Sequence, residues 1–303
     1  MSNQVSEIIK LFFIPFSIIS PIPFFAIILF LISTTFSEIT QFKILLLIFG
    51  ILLTLLSSGV SNFWNHTNDI KEDIKNNKNT ILTQKIISQK TAISISFFFY
   101  IFSIFFSFYL SILLKRPIYL YFLIWAIITW WYSDDIFLKK ISGIRLKTHY
   151  LGEILTYGLA YPAYTMSIWL IYSNSFFKGF VLSMIFLCFG LAGVLLKDLK
   201  DIKGDREAGL KTLGVVFAPS KLIKCSSFFL IIYFLIILIS TNQGIFNFAT
   251  FIIFIPLIYL VKNTIIHFHR KNWSIEIKDM HNIKSMIIST YSSILILGFV
   301  NFF

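Results

Sequence analysis

The sequence predicts an all-α, multi-pass membrane protein of about nine transmembrane helices, two four-helix pseudo-repeats plus one helix. Three observations carry that prediction. Hydrophobic residues fill 57% of the 303 positions and charged ones 13%, with a mean hydropathy of +0.82, which excludes a water-soluble globular chain. The apolar residues, 36 Phe among them, come in blocks of about 20, the length that crosses about 30 Å of hydrocarbon. The basic residues between the blocks favour alternate loops.

Spans are expected near 10–33, 42–64, 90–114, 117–133, 149–173, 177–197, 221–240, 246–262 and 284–303. In the first, Pro15, Pro21 and Pro23 predict kinks; with no small-residue cleavage site, it reads as a span and not as a signal peptide. Only Lys115, Arg116 and Pro117 separate the third span from the fourth, which ends on Trp125, Trp130 and Trp131, read as packing or interface-belt residues. The sixth carries Cys188, a small packing residue; neither it nor Cys225 has disulfide or zinc spacing. With no long polar linker, residues 1–303 read as a single membrane-embedded domain.

Loops 65–90, 134–148, 197–224 and 262–284 hold 21 of the 26 Lys and Arg, and Lys10 brings that side to 22. Lys43, Lys115, Arg116 and Lys178 make up the other side. The positive-inside rule then predicts a cell-membrane protein with its N-terminus and the four basic loops in the cytoplasm. The formal charge of +12 is topology and attraction to the anionic lipid bilayer, with no nucleic acid as a partner.

Two of those basic loops also carry ordered acids. Asn65, Asp69 and Asp73 are spaced i, i+4, i+8, and Asp198, Asp201 and Asp205 are spaced i, i+3, i+7. Each set forms one helical stripe, with Gly204 expected to break or bend the second helix. The first stripe follows the second span and the second follows the sixth, four spans later, as a four-helix repeat requires. For one stripe, charge balance by Lys71, Lys75, Lys197, Lys200 and Lys203 on a solvated face would suffice. Two at matching positions favour a shared oxygen-donor site, suited to Mg²⁺ and a substrate phosphate. The alternative is a cation-coupled membrane transporter with carboxylate ion sites, which would place its acids nearer the bilayer midplane.

The second stripe continues as Asp205-Arg206-Glu207-Ala208-Gly209-Leu210-Lys211-Thr212-Leu213-Gly214. The chain thus shows N-x-x-x-D-x-x-x-D after the second span and D-x-x-D-x-x-x-D-R-x-x-G-x-K-T-L after the sixth. Tyr132-Ser133 ends the fourth span, Lys139 follows it, and Leu151-Gly152-Glu153 opens the fifth. On these residues it resembles the UbiA superfamily of intramembrane prenyltransferases. The resemblance implies helices around a central cavity capped by the motif loops. It also implies transfer of an isoprenyl chain from its diphosphate to a hydrophobic acceptor of the quinone-precursor or glycerol phosphate lipid type. Asn65, Asp69, Asp73, Asp198, Asp201 and Asp205 would hold Mg²⁺, and Lys139, Arg206 and Lys211 would contact the diphosphate. Tyr132 would face the developing cation. The chain departs from the family pattern at Thr80-Ile81, where Arg-Pro is common, leaving Lys78 or Lys85 to substitute, and at His66, where Asp or Gln is commoner.

Overall fold

A computed structural model describes residues 23–75, 79–197, 199, 202–276 and 279–303, together with Ser6 and Ile9. Nine apolar helices occur among these residues, each close to an expected span. They are α1 Phe24–Ser33, α2 Gln41–Asn68, α3 Gln89–Leu114, α4 Ile118–Ser133, α5 Tyr150–Tyr172, α6 Phe176–Lys197, α7 Pro219–Asn242, α8 Phe248–Arg270 and α9 Met280–Phe302. Six of them (α2, α3, α6, α7, α8 and α9) are long and apolar enough to cross a membrane. Pro15 and Pro21 of the first expected span lie outside the described residues, and Pro23 stands just before α1.

Local sequence sets the boundaries. Thr40 Oγ1 accepts the Lys43 amide at 3.2 Å and starts α2; Ser88 does the same for α3 through the Thr91 amide at 3.1 Å. Pro219 occupies the first turn of α7, where its missing N–H costs nothing. The α3–α4 reversal is tight because Lys115 takes a left-handed conformation, φ 54°, immediately before Arg116 and Pro117. At 28 residues, α2 extends about 42 Å at 1.5 Å per residue, longer than the hydrocarbon is thick.

Each helix packs on its successor, and α9 returns to α1, so the nine close into a ring. Helix α5 also touches α1 and α2, crossing the interior. Its Pro162 removes one helical hydrogen bond, while the Pro162 carbonyl accepts from Ser183 Oγ on α6 at 3.1 Å. Outer faces are apolar: Phe98, Phe105 and Ile112 of α3 are more than 60% exposed, as a lipid-facing surface requires.

The four cations assigned to the less basic side have local duties. Lys43 pairs with Glu38 at 2.8 Å, and Lys115 makes the reversal. Arg116 donates to the Leu170 and Ile171 carbonyls at 2.9 and 3.2 Å, at the carboxyl end of α5. Lys178 donates to Ile32 O at 3.1 Å, at the end of α1. The helix dipole favours cations at both places.

Candidate active site

The ring encloses a cavity of about 360 Å³. Its deep wall is aromatic, with Phe24 and Phe25 of α1, Trp125 of α4, Tyr161 and Tyr164 of α5, Phe186 and Phe189 of α6, and Tyr291 of α9. The rings brace one another: Phe25 stacks on Tyr164 at 5.5 Å and meets Phe186 edge-on at 4.8 Å, and Trp125 lies 5.1 Å from Tyr164. Ser57 fixes the Tyr164 hydroxyl at 2.7 Å. Trp125 is therefore a cavity-wall residue, while Trp130 packs, stacking on Trp64 at 4.0 Å.

The mouth of the cavity is ionic and is built from the loops after α2, α4 and α6. Helix α2 ends at Asn68; Asp69 caps it, its amide bonded to Asn65 O at 2.9 Å, and a short helix Ile70–Lys75 follows. This near-continuous helical path keeps Asn65, Asp69 and Asp73 on one face, and all three line the cavity with Glu72. In the second segment a short helix Ile202–Glu207 runs through Gly204, so the expected break there does not occur. The chain turns instead at Gly209, whose φ of +74° is open to glycine at little cost. Asp205 lines the mouth, its carboxylate accepting from Thr212 Oγ1 at 2.8 Å. Asp198 and Asp201 lie outside the described residues.

Asp69 is 3% exposed and bonds both Arg145 Nη2 and Lys147 Nζ. Glu72 accepts from the same two residues, at 2.9 Å from Arg145 Nη1 and 3.2 Å from Lys147 Nζ. Arg145 Nε reaches Ser133 O at 2.9 Å, and Ser133 Oγ reaches Asn65 Oδ1 at 2.9 Å, completing a link from α4 to α2. Burial raises the Asp69 carboxyl, but Lys147 and Arg145 outweigh it and hold the pKa at about 2. Burial likewise lowers Arg145, and its two carboxylate partners more than reverse the shift. Asp73, 2% exposed, meets His66 Nδ1 at 2.8 Å, which gives the unusual histidine a partner within the first motif.

The remaining basic candidates take other places. Lys139 sits on the short helix Leu138–Ser142, pairs with Asp135, is 44% exposed and is not in the cavity wall. The cation at the mouth from this loop is Lys147, eight positions on, with Arg145 behind it. Sequence reasoning missed both, since they read as ordinary basic-loop charges; their one signal is a cation pair two residues apart just before α5. Arg206 and Lys211 are exposed and outside the wall; the Lys211 backbone joins the second-motif loop to α5 through Tyr150 N at 2.8 Å and Thr148 O at 2.9 Å. Lys85 is exposed, and Lys78 lies outside the described residues. The Thr80-Ile81 segment is a packed turn, with Ile81 buried and Thr80 and Thr83 bonded to each other's amides. Tyr132 does line the cavity, where Lys197 Nζ donates to its hydroxyl at 3.0 Å.

At the mouth, five carboxylates (Asp69, Glu72, Asp73, Glu153 and Asp205) and the Asn65 amide face Lys75, Lys147 and Lys197. Among the described residues no three His, Cys, Asp or Glu side chains converge on a single point, and Asp69 is engaged by Arg145 and Lys147.

Comparison with known proteins agrees with this architecture. The model of the UbiA prenyltransferase family matches residues 22–279. An uncharacterised protein of Archaeoglobus fulgidus is 30% identical over 297 residues, 95% of each chain. A solved structure of digeranylgeranylglyceryl phosphate synthase superposes with a TM-score of 0.73 over 99% of each chain, at 16% identity, a likeness of fold. With an ionic mouth over an aromatic cavity in a ring of membrane helices, the chain belongs to the UbiA prenyltransferase family and is an intramembrane prenyltransferase.

Proposed function

We propose that the enzyme moves an isoprenyl chain from its diphosphate to a hydrophobic acceptor of the quinone-precursor or glycerol phosphate lipid type, at the cytoplasmic face of the cell membrane. One observation carries the reading: hard oxygen donors and ammonium groups crowd the mouth of a cavity whose interior is aromatic. A diphosphate ester with a terpenoid tail has that same polarity. The family resemblance of the second motif adds Asp198 and Asp201 to the donor set, and the partition of 22 cations against four supports the cytoplasmic placement.

The donor set fits Mg²⁺. All its atoms are oxygens, and carboxylates exceed lysines at the mouth by two, or by one once Arg145 is counted. A diphosphate would meet net repulsion there unless cations accompanied it. Asn65, Asp69, Asp73 and Asp205, with Asp198 and Asp201, would hold the ions, which when bound neutralise charge on the departing diphosphate. Lys147 and Lys75 add ammonium groups to that end. The walls formed by Tyr161, Tyr164, Phe186 and Phe189 bind the apolar tail and exclude water. Their ring faces, with that of Tyr132, favour positive charge on the allylic carbon as the C–O bond breaks.

The test is incubation of purified protein with labelled geranylgeranyl diphosphate, Mg²⁺ and acceptors of both types, beside Asp73→Asn and Asp205→Asn. Expected are a Mg²⁺-dependent prenylated product and its reduction by at least tenfold in each variant. No product with any acceptor overturns the reading, and full activity in both variants overturns the site.

A further inference from the structure

Among the described residues, Glu153 is the one carboxylate at the mouth that lies outside both acidic segments. It stands in the first turn of α5, 1% exposed, on the cavity wall between the ionic mouth and the aromatic interior. Its Oε2 accepts the Leu213 amide at 2.9 Å, which ties down the loop carrying Asp205 and Thr212. Its Oε1 lies 3.7 Å from Lys197 Nζ, within ion-pair range but beyond a good hydrogen bond. Lys197 in turn donates to the Tyr132 hydroxyl and lies over the Tyr132 and Tyr157 rings at 5.7 and 5.9 Å. Opposite, Ser58, Ser61 and Asn62 of α2 and Thr129 of α4 add hydrogen-bonding groups below the mouth.

Holding a loop amide does not require a charge; a glutamine oxygen would accept the same bond. A buried carboxylate is costly, and the cost is larger near a bilayer. Resting on the prenyl-transfer reading, we propose that Glu153 takes the proton that the acceptor loses, and that the acceptor therefore attacks through a hydroxyl or through a phenol-type ring carbon. The bonds balance. The donor C1–O bond breaks and the diphosphate leaves with its electron pair. The acceptor atom bonds to C1, and its proton passes to the Glu153 carboxylate. The Leu213 amide and Lys197 hold that carboxylate at the junction of mouth and interior, where C1 must lie if the diphosphate sits at the acids and the tail among the rings.

Glu153→Gln separates this role from loop tethering, because its amide oxygen keeps the Leu213 contact and its charge is gone. The expected result, with labelled geranylgeranyl diphosphate and the acceptor that wild type uses, is a kcat lower by about 100-fold, in the range of a lost general base. The KM for the donor and the thermal midpoint stay within error of wild type, and Glu153→Asp recovers at least a tenth of the rate. Wild-type kcat in Glu153→Gln, or a loss of rate matched by a raised donor KM or an unfolded protein, overturns this role alone. No product from wild type overturns the transfer reading itself.

Discussion

Replacing Arg145 by Met tests whether the mouth is held by charge. Arg145 is 4% exposed and joins Asp69, Glu72 and Ser133 O, so the substitution leaves the buried Asp69 with Lys147 alone and releases an α4 carbonyl. Removing one partner of a buried pair costs about 3–5 kcal/mol. An independent figure comes from Asp69 itself. Its pKa falls from 3.8 to about 2, and at 1.36 kcal/mol per unit that is about 2–3 kcal/mol of net stabilisation of the carboxylate, left after Lys147 and Arg145 have offset the cost of its burial. We therefore expect Arg145→Met to lose about 3 kcal/mol in reversible unfolding from mixed micelles. Asp69→Asn with Arg145→Met should cost less than the sum of the singles, with a coupling of at least 1 kcal/mol. The pH dependence has a fixed sign. A carboxyl whose folded pKa is depressed contributes stability that is full above about pH 4 and lost as pH falls through about 2. The Asp69→Asn variant should lack that acid limb. A loss below 1 kcal/mol in Arg145→Met, or strictly additive singles, would refute the account.

Three further outcomes follow from the geometry. Lys147→Ala should cut transfer by at least tenfold, whereas Lys139→Ala should stay within about twofold, since Lys139 pairs with Asp135 outside the cavity; kcat/KM for the donor decides, and equal effects would contradict the placement. Gly190→Ala puts a methyl 2.7 Å from Tyr161 Cγ and Cδ2, atoms that cannot swing aside without moving the ring, and should cost about 1–3 kcal/mol while lowering turnover. Chelating divalent ions should weaken labelled-donor binding by tenfold or more as well as stopping turnover, because carboxylates outnumber lysines at the mouth; donor binding unchanged in EDTA would count against that charge balance.

Periodicity and length made the helices legible. Blocks of about 20 apolar residues located the eight helices α2 to α9 to within a few residues of the expected starts. Spacing also placed Asn65, Asp69 and Asp73 on one face, and the structure turns that face to the cavity. Basic residues were harder to place, for a physical reason. Lysines in cytoplasmic loops satisfy the positive-inside rule wherever they sit, so composition does not mark those aimed inward. Lys139 was favoured by its position after Tyr132, but the short helix Leu138–Ser142 carries it outward, and the turn at Leu146–Thr148 delivers Lys147 instead. Gly204 misled similarly: glycine permits a break without requiring one, and the left-handed turn fell at Gly209.

The placement of charge along the cavity axis explains why one bundle can handle both ends of such a donor. Two charges about 6 Å apart interact by roughly 2–3 kcal/mol at an effective dielectric constant of about 20, and far more weakly in bulk water. The acids must therefore sit where cations reach them from water, and the rings where water does not. Helix α2 meets this with length: its last turn carries Asn65 to the mouth, while Ser58 and Ser61 line the cavity one to two turns below. Helix α5 meets it with sequence, placing Glu153 at the mouth and Tyr157, Tyr161 and Tyr164 at successive depths on the same cavity wall. Arg145, in the loop before α5, then fixes the height of α2 against α4 by tying Asp69 to Ser133. If that tie slipped by one helical turn, about 5.4 Å, the acids would stand level with the rings, and the diphosphate and the tail would compete for one place.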